Sequence, residues 1–155
     1  MDYKIVELAE KTVVGITART NNFSNEMGAV IGRTWQHFFN EAYRDISDKV
    51  NLYTLGIYTD YSSDENDDYT FMSACEVTSE STKGPFEVRK VPAGRYAEFE
   101  IVGDMDTTAQ LKEIQRLWQE IWTMDLDRSF MCDFEEYRSA DPNRADIRVY
   151  IGLKG

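Results

Sequence analysis

The sequence predicts an α+β fold, an antiparallel sheet with two helices on one side, built from two copies of a strand–strand–helix–strand–strand unit. Two long segments carry apolar residues at helical spacing, and pairs of short alternating or β-branched runs flank each of them. The order of elements is the same in both halves, which predicts a pseudo-twofold axis. We expect one domain over residues 1–155, with internal repeats at about 1–78 and 85–155.

In the first half, alternation over Tyr3 to Leu8 and the β-branched run from Thr12 to Thr20 predict two strands. A helix is predicted from about Ser24 to Ile46, because its apolar residues recur at helical spacing. These residues are Ile31, Trp35, Phe38, Phe39, Ala42, Tyr43 and Ile46. Two strands follow, at Asn51 to Tyr58 and Tyr69 to Val77, and Ser79 to Gly84 forms a polar connector.

The second half repeats this order. Strands are predicted at Phe86 to Val91 and Arg95 to Val102, around the Pro92-Ala93-Gly94 turn. Asp106 or Thr107 can cap a helix from about Thr108 to Met124. The apolar residues of this helix are Leu111, Ile114, Leu117, Trp118, Ile121 and Trp122. The last two strands are predicted at Ser129 to Arg138 and Ala145 to Leu153.

Composition narrows the class of function. The chain is 42% apolar with 20 aromatic residues (8 Phe, 9 Tyr and 3 Trp), enough for a packed core and for the walls of a site. A net charge of −11 without a basic run argues against direct binding to nucleic acid or to anionic membranes. This charge favours cationic ligands or basic partners, although solubility alone would also account for it.

The cellular location of the protein is predicted from the membrane-spanning and targeting segments that the sequence lacks. No apolar stretch approaches the roughly 20 residues that span a bilayer, and the N-terminus does not resemble a targeting segment. Cys75 and Cys132 form no CxxC pair and are expected to be reduced and buried. The sequence therefore predicts a cytoplasmic protein.

Strand alternation separates two sets of side chains. We assign Ile147, Val149 and Ile151 to a uniform aliphatic face that packs under the helices. The second set, expected on the other face, mixes carboxylates, tyrosines, methionines and glycines: Met131, Asp133, Glu135, Tyr137, Arg148, Tyr150, Gly152, Gly56, Tyr58, Met72, Ala74 and Glu76. This mixed face is predicted to carry a site, and the alternative left open is that it is simply exposed to solvent.

A set of motifs in order along the whole chain resembles the GyrI-like effector-binding domain, which occurs alone or fused behind AraC-type and MerR-type DNA-binding domains in bacteria. The motifs are YKIVELAEKTVVGITART, GRTWQHFF, LYTLGIYTDY, YTFMSACEV, KVPAGRYAEFE, LWQEIW, and DFEEY followed by DIRVYIGLK. No helix-turn-helix segment occurs in the sequence. The resemblance therefore implies a stand-alone small-molecule binder related to the multidrug-sensing effector domains of transcription regulators.

The resemblance also implies particular residues. In that family the Glu of a Phe-Glu-x-Tyr motif lies at the base of the pocket and meets cationic drugs, which corresponds to Phe134, Glu135 and Tyr137 here. The residues implied as aromatic walls are Tyr58, Trp118, Trp122 and Tyr150, with Trp35 and Phe38 as further candidates.

Two other functions stay open at this stage. Hydrolases that resemble the family use a pocket Glu with Tyr as acid–base groups on reactive small molecules, a role that Glu135 and Tyr137 could take. Other members inhibit a topoisomerase by binding it, and the acidic chain would suit such a basic partner. We expect ligand binding rather than catalysis, and therefore predict no catalytic residue.

Neither a metal nor a cofactor is expected. His37 is the only histidine and is predicted to point to solvent, so the sequence indicates no Ser/His/Asp or Cys/His set. The acidic run at Asp64, Glu65, Asp67 and Asp68 lacks the Gly and the closing Glu of a calcium loop. We interpret it as a solvated hairpin loop.

Overall fold

The computed structural model describes residues 2–22, 27–64, 66–78 and 86–155, and its elements follow the predicted order. The first half contains β1 (Lys4–Leu8), β2 (Lys11–Thr20), α1 (Met27–His37), β3 (Thr54–Thr59) and β4 (Tyr69–Glu76). The second half contains β5 (Glu87–Val91), β6 (Gly94–Asp104), α2 (Thr107–Thr123), β7 (Arg128–Tyr137) and β8 (Arg144–Leu153). The predicted helix start at Ser24 and the connector from Ser79 to Gly84 lie outside the described residues.

The eight strands form one antiparallel sheet in the order β1-β6-β8-β7-β3-β4-β2-β5. This order is unchanged when the two halves are exchanged, so the predicted α+β fold with a pseudo-twofold axis is confirmed. The axis lies between β3 and β7, which join the halves at the centre of the sheet. Each half of the chain also contributes an edge strand to the other half, because β1 pairs with β6 and β5 pairs with β2.

The two helices cover one face of the sheet. The helix α1 ends earlier than predicted, and the chain continues through a wider π-helical turn at Phe38–Ala42 and a 3-10 turn at Tyr43–Asp45. The helix α2 begins after Asp106, whose carboxylate accepts a hydrogen bond from the Ala109 amide at 2.8 Å, as a helix cap should. Neither helix has the combination of length and hydrophobicity needed to cross a membrane.

Both faces of the sheet carry a buried core. On the helix face, Phe38, Ala42 and Ile46 pack on β2 and β4, while Leu117 and Ile121 pack on β6 and β8. The opposite face has its own core, in which side chains from the central strands meet side chains from the edge strands: Leu55, Ile57, Met72, Tyr96, Phe134, Tyr150, Val6, Leu8 and Val91. The centre of this second face is therefore buried and not exposed to solvent, although Glu100 and Val102 on the same face are exposed.

The pairing register changes the predicted assignment of faces. Glu135 pairs with Gly56 on one side and with Val149 on the other, and residues paired directly across strands share a face. Glu135 therefore lies on the helix face beside the aliphatic residues, and not on the opposite face that strand alternation predicts. Met72 and Tyr150 lie on the other face, since their direct partners are Ile57 and Phe134.

Candidate functional site

The carboxylate of Glu135 lies at the centre of the sheet, beneath the helices. Glu135 is 3% exposed, and the pairing of β3 with β7 places Gly56 directly opposite it. A Cβ atom on Gly56 would lie 3.2 Å from Glu135 Oε1 and 3.1 Å from Trp35 Cζ2. The glycine therefore makes room for the carboxylate and for an aromatic ring at the same point.

Three neutral groups donate hydrogen bonds to this carboxylate. The Trp118 indole donates to Oε2 at 2.6 Å, and the Tyr58 hydroxyl donates to the same oxygen at 3.0 Å. The Tyr137 hydroxyl donates to Oε1 at 2.5 Å. An indole N–H can only donate, so at least this bond requires an acceptor oxygen. Among the described residues, Glu135 has no ion-pair partner.

Burial and hydrogen bonding act in opposite directions on Glu135. Burial in the protein raises its pKa above the ordinary value of about 4.5, while the bonds from Tyr137, Trp118 and Tyr58 favour the ionised form. Burial and the neighbouring carboxylate also raise the pKa values of Tyr58 and Tyr137 well above 10, which keeps both hydroxyls protonated. The site is therefore a buried acidic group with three neutral donors, and no residue in the described part of the chain supplies a counter-charge.

This raised pKa predicts a stability difference between the wild type and Glu135→Gln that depends on pH. Above its ordinary pKa the unfolded chain loses a proton that the folded chain still holds, so Glu135 destabilises the fold progressively as pH rises to the folded-state pKa. Each unit of elevation costs about 1.4 kcal/mol. Denaturant unfolding between roughly pH 4.5 and 8 should show Glu135→Gln gaining relative stability as pH rises. A pH-independent difference would contradict the elevation.

Above the carboxylate, the two helices and the sheet enclose a cavity of about 520 Å³. Its walls are mainly aromatic and aliphatic, and Glu135 and Arg128 are the only charged side chains among the described residues that line it. The other lining residues are Asn22, Met27, Gly28, Ile31, Gly32, Trp35, Tyr58, Tyr61, Tyr69, Leu111, Ile114, Gln115, Trp118, Gln119, Trp122 and Tyr137. A cavity of this size and polarity is typical of small-molecule sites.

The aromatic walls form a continuous layer. Tyr58 makes edge contacts with Trp118 and Phe71, with ring centroids 5.0 and 5.2 Å apart, and a tilted contact with Tyr69 at 5.6 Å. Trp35 makes an edge contact with Tyr137 at 5.6 Å. Burial, together with the nearby Glu135 charge, raises the pKa of Tyr69 to about 12. These ring faces would attract a cation electrostatically.

A second buried carboxylate, Asp133, lies two residues before Glu135 on the same face of β7. Unlike Glu135 it has a counter-charge, because Arg128 Nη2 lies 2.8 Å from its Oδ2. The Tyr61 hydroxyl donates to the same oxygen at 2.7 Å, and the Gly152 amide donates to Oδ1 at 2.8 Å. The same face of β7 therefore carries one carboxylate with its own cation and one for which no described residue supplies a cation.

The structure brings together most of the residues predicted for the site. Glu135, Tyr137, Tyr58, Trp118 and Trp122 all line the cavity, as does Trp35. Tyr150 does not: it lies on the opposite face, stacked on Phe134 at 4.7 Å with its hydroxyl bonded to Arg138. Phe38 is fully buried in the core beside the cavity.

Several lining residues were not assigned to a site from the sequence. From the sequence, Ile31, Leu111 and Ile114 are recognised only as apolar residues of the two helices. On each helix, one side of the apolar surface packs in the core and the other side lines the cavity. Tyr61 and Arg128 carried no signal in the local pattern. His37 is half-exposed and pairs with Glu41, outside the cavity. Groups of three or more metal-ligating side chains do not occur among the described residues.

Three solved structures resemble this fold over nearly its whole length. An integron cassette protein from the mobile metagenome of Vibrio cholerae is 25% identical, with 98% of this chain and 95% of that chain covered and a TM-score of 0.78. The protein SAV2435, solved with tetraphenylphosphonium bound, is 20% identical, with 100% and 95% covered and a TM-score of 0.79. A Staphylococcus aureus protein assigned to bacterial transcription regulation is 18% identical, with 100% and 99% covered and a TM-score of 0.73.

The last two of these likenesses establish the fold alone. A search of curated proteins returned no match. A sequence model of one family, described as integron-associated effector binding protein, matches residues 4–153, which is almost the entire chain. The chain therefore belongs to the Cass2 family of integron-associated effector binding proteins, a family of the GyrI-like kind.

Proposed function

We propose that this protein binds a lipophilic organic cation in the cavity between its helices, with Glu135 as the counter-charge. The observation that carries the proposal is the state of that carboxylate. It is buried among aromatic rings, it accepts hydrogen bonds only from neutral donors, and no described residue supplies a positive charge. An unpaired buried charge is costly, and a bound cation would remove that cost.

Asp133 provides an internal comparison. Where this fold requires a buried carboxylate for itself, it supplies a guanidinium at 2.8 Å. Glu135 lies on the same strand and the same face without such a partner, and it borders a cavity large enough for an organic ligand. Two comparisons also support small-molecule binding: the chain belongs to an effector-binding family, and the similar protein SAV2435 binds tetraphenylphosphonium.

The proposal can be tested with two ions of matched shape and opposite charge, tetraphenylphosphonium and tetraphenylborate. We expect the protein to bind the cation and to bind the anion at least tenfold more weakly, because the charge that lacks a counter-ion among the described residues of the cavity is negative. Isothermal titration calorimetry measures both affinities, and the cation should raise the melting temperature. Equal affinities would mean that the cavity selects shape alone, and binding of neither ion would reject the proposal.

The hydrolase hypothesis keeps one specific observation in its favour. The Tyr137 hydroxyl lies 2.5 Å from Glu135 Oε1, which is the contact that an acid–base pair would need. Binding and catalysis differ in stoichiometry. A reactive aromatic ester or epoxide would be consumed in many-fold excess over a hydrolase, and this turnover would disappear in Tyr137→Phe. A cation-binding protein would leave such a substrate unchanged.

A further inference from the structure

An irregularity in β7 brings a second charged residue to the cavity. Between the pairs Arg128–Leu153 and Asp133–Ile151, β7 advances by five residues while β8 advances by two. Within this bulge Phe130 adopts a left-handed conformation with φ of 54°. In a straight strand, the Cα atoms of Arg128 and Asp133 would lie about 17 Å apart and their side chains would point to opposite faces. The bulge instead turns the Arg128 guanidinium back to within 2.8 Å of Asp133.

The guanidinium is held in place from several directions. The guanidinium lies over the Phe130 ring, with its central carbon 4.3 Å from the ring centroid. Arg128 as a whole is 6% exposed. Tyr61 closes the arrangement, since its hydroxyl bonds to Asp133 and its ring contacts Phe130 at 5.9 Å. Both Arg128 and Tyr61 line the cavity. Bulges often re-aim side chains next to functional sites.

We propose that Arg128 is a second ligand contact, which donates a hydrogen bond to a neutral acceptor oxygen on the same organic cation that Glu135 binds. This inference rests on the proposed function and specifies the class of ligand. Because Asp133 already balances the charge of Arg128, the pair as a whole is neutral. It would favour a carbonyl, ester or ether oxygen over a carboxylate, which the nearby charge of Glu135 would repel.

The spacing along β7 sets the shape of this ligand. Asp133 and Glu135 are two residues apart on one face, so their positions on the strand are separated by about 7 Å. Along this direction the rings of Tyr58, Tyr69 and Tyr61 succeed one another, each 5.6 Å from the next. The ligand is therefore an aromatic cation with its acceptor oxygen several bonds away from the charge, on an arm that lies along the tyrosines.

Two probes of matched length test this inference: heptyltriphenylphosphonium and the methyl ester of (4-carboxybutyl)triphenylphosphonium. They carry the same cation, and only the ester has acceptor oxygens on its arm. We compare the ratio of their affinities in the wild type and in Arg128→Gln/Asp133→Asn, which removes both charges together. The ester's relative affinity should fall about tenfold in the variant, the factor that a hydrogen bond to a charged donor supplies.

The ratio of the two affinities within one protein does not depend on a general loss of stability, because both affinities are reduced by the same folded fraction. Arg128→Lys retains a charged donor and should lose less of the ester preference than the double variant. An unchanged ratio in the double variant would overturn the role of Arg128, and the proposed function would stand if Glu135→Gln still weakens both probes. Binding of neither probe to the wild type would overturn both.

Discussion

Replacing Glu135 by glutamine should weaken the binding of tetraphenylphosphonium by at least about thirtyfold, because loss of one partner from a buried charge pair costs about 2 kcal/mol or more. The amide has nearly the same shape as the carboxylate. Its oxygen can still accept from Trp118 and Tyr58, and its nitrogen can donate to the Tyr137 hydroxyl. The cavity should therefore keep its form and lose only its charge, and calorimetry of both proteins measures the difference.

The adjacent carboxylate supplies the matched control. Glu136 is also buried, but it pairs with Leu55 and Arg148 on the opposite face and forms an ion pair with Arg138 at 2.6 Å. Glu136→Gln removes the same unit of charge from the chain without altering the cavity. We expect its affinity for the cation to stay within about twofold of the wild type, since the remaining effect is long-range and screened. Equal losses in both variants would show that net charge, and not the Glu135 carboxylate, attracts the cation.

The order of elements could be predicted from sequence because each depends on a local signal. The spacing of Leu117 and Ile121 with their neighbours identified α2, and the two capping candidates, Asp106 and Thr107, located its start to within one residue. The early end of α1 could not be predicted in this way. Its apolar stripe continues through Phe38–Ala42, and the change there to a π-helical turn leaves the apolar spacing largely intact.

The assignment of faces failed for a different reason. Alternation shows which residues of one strand share a face, but it does not show how two strands align. A shift of one residue in register exchanges the two faces. The pairing of Glu135 with Val149 therefore had to come from the structure, and with it the finding that Tyr150 lies away from the cavity. The resemblance indicated Glu135 without depending on register, and this residue lines the cavity.

Arg128 shows the limit of local patterns most clearly. Its contact with Asp133 depends on a bulge, and no glycine within β7 marks the left-handed Phe130 or the unequal advance of β7 and β8 between their pairs. Read as a regular strand, the segment places Arg128 and Asp133 on opposite faces, five residues apart. Contacts created by an irregularity are in this sense properties of the folded chain.

The last prediction concerns this ion pair. Arg128→Gln should destabilise the fold by about 3–5 kcal/mol, because it leaves the carboxylate of Asp133, which is 0% exposed, without its cation. The bonds from Tyr61 and Gly152 remain, but they supply no positive charge. For a fold whose total stability is typically about 5–15 kcal/mol, this is a large share. Urea unfolding should show a much lower midpoint with a similar slope.

The double variant Arg128→Gln/Asp133→Asn separates a lost cation from lost packing. If the cost of Arg128→Gln arises from an uncompensated buried charge, neutralising Asp133 as well should recover more than half of it. A double variant as unstable as the single one would place the cost in packing on Phe130 instead. Glu135→Gln should not destabilise the fold at neutral pH, because none of the described residues forms an ion pair with this carboxylate. A large loss of stability in Arg128→Gln that Asp133→Asn recovers, beside no loss in Glu135→Gln, would distinguish a charge that the fold balances itself from a charge kept for a ligand.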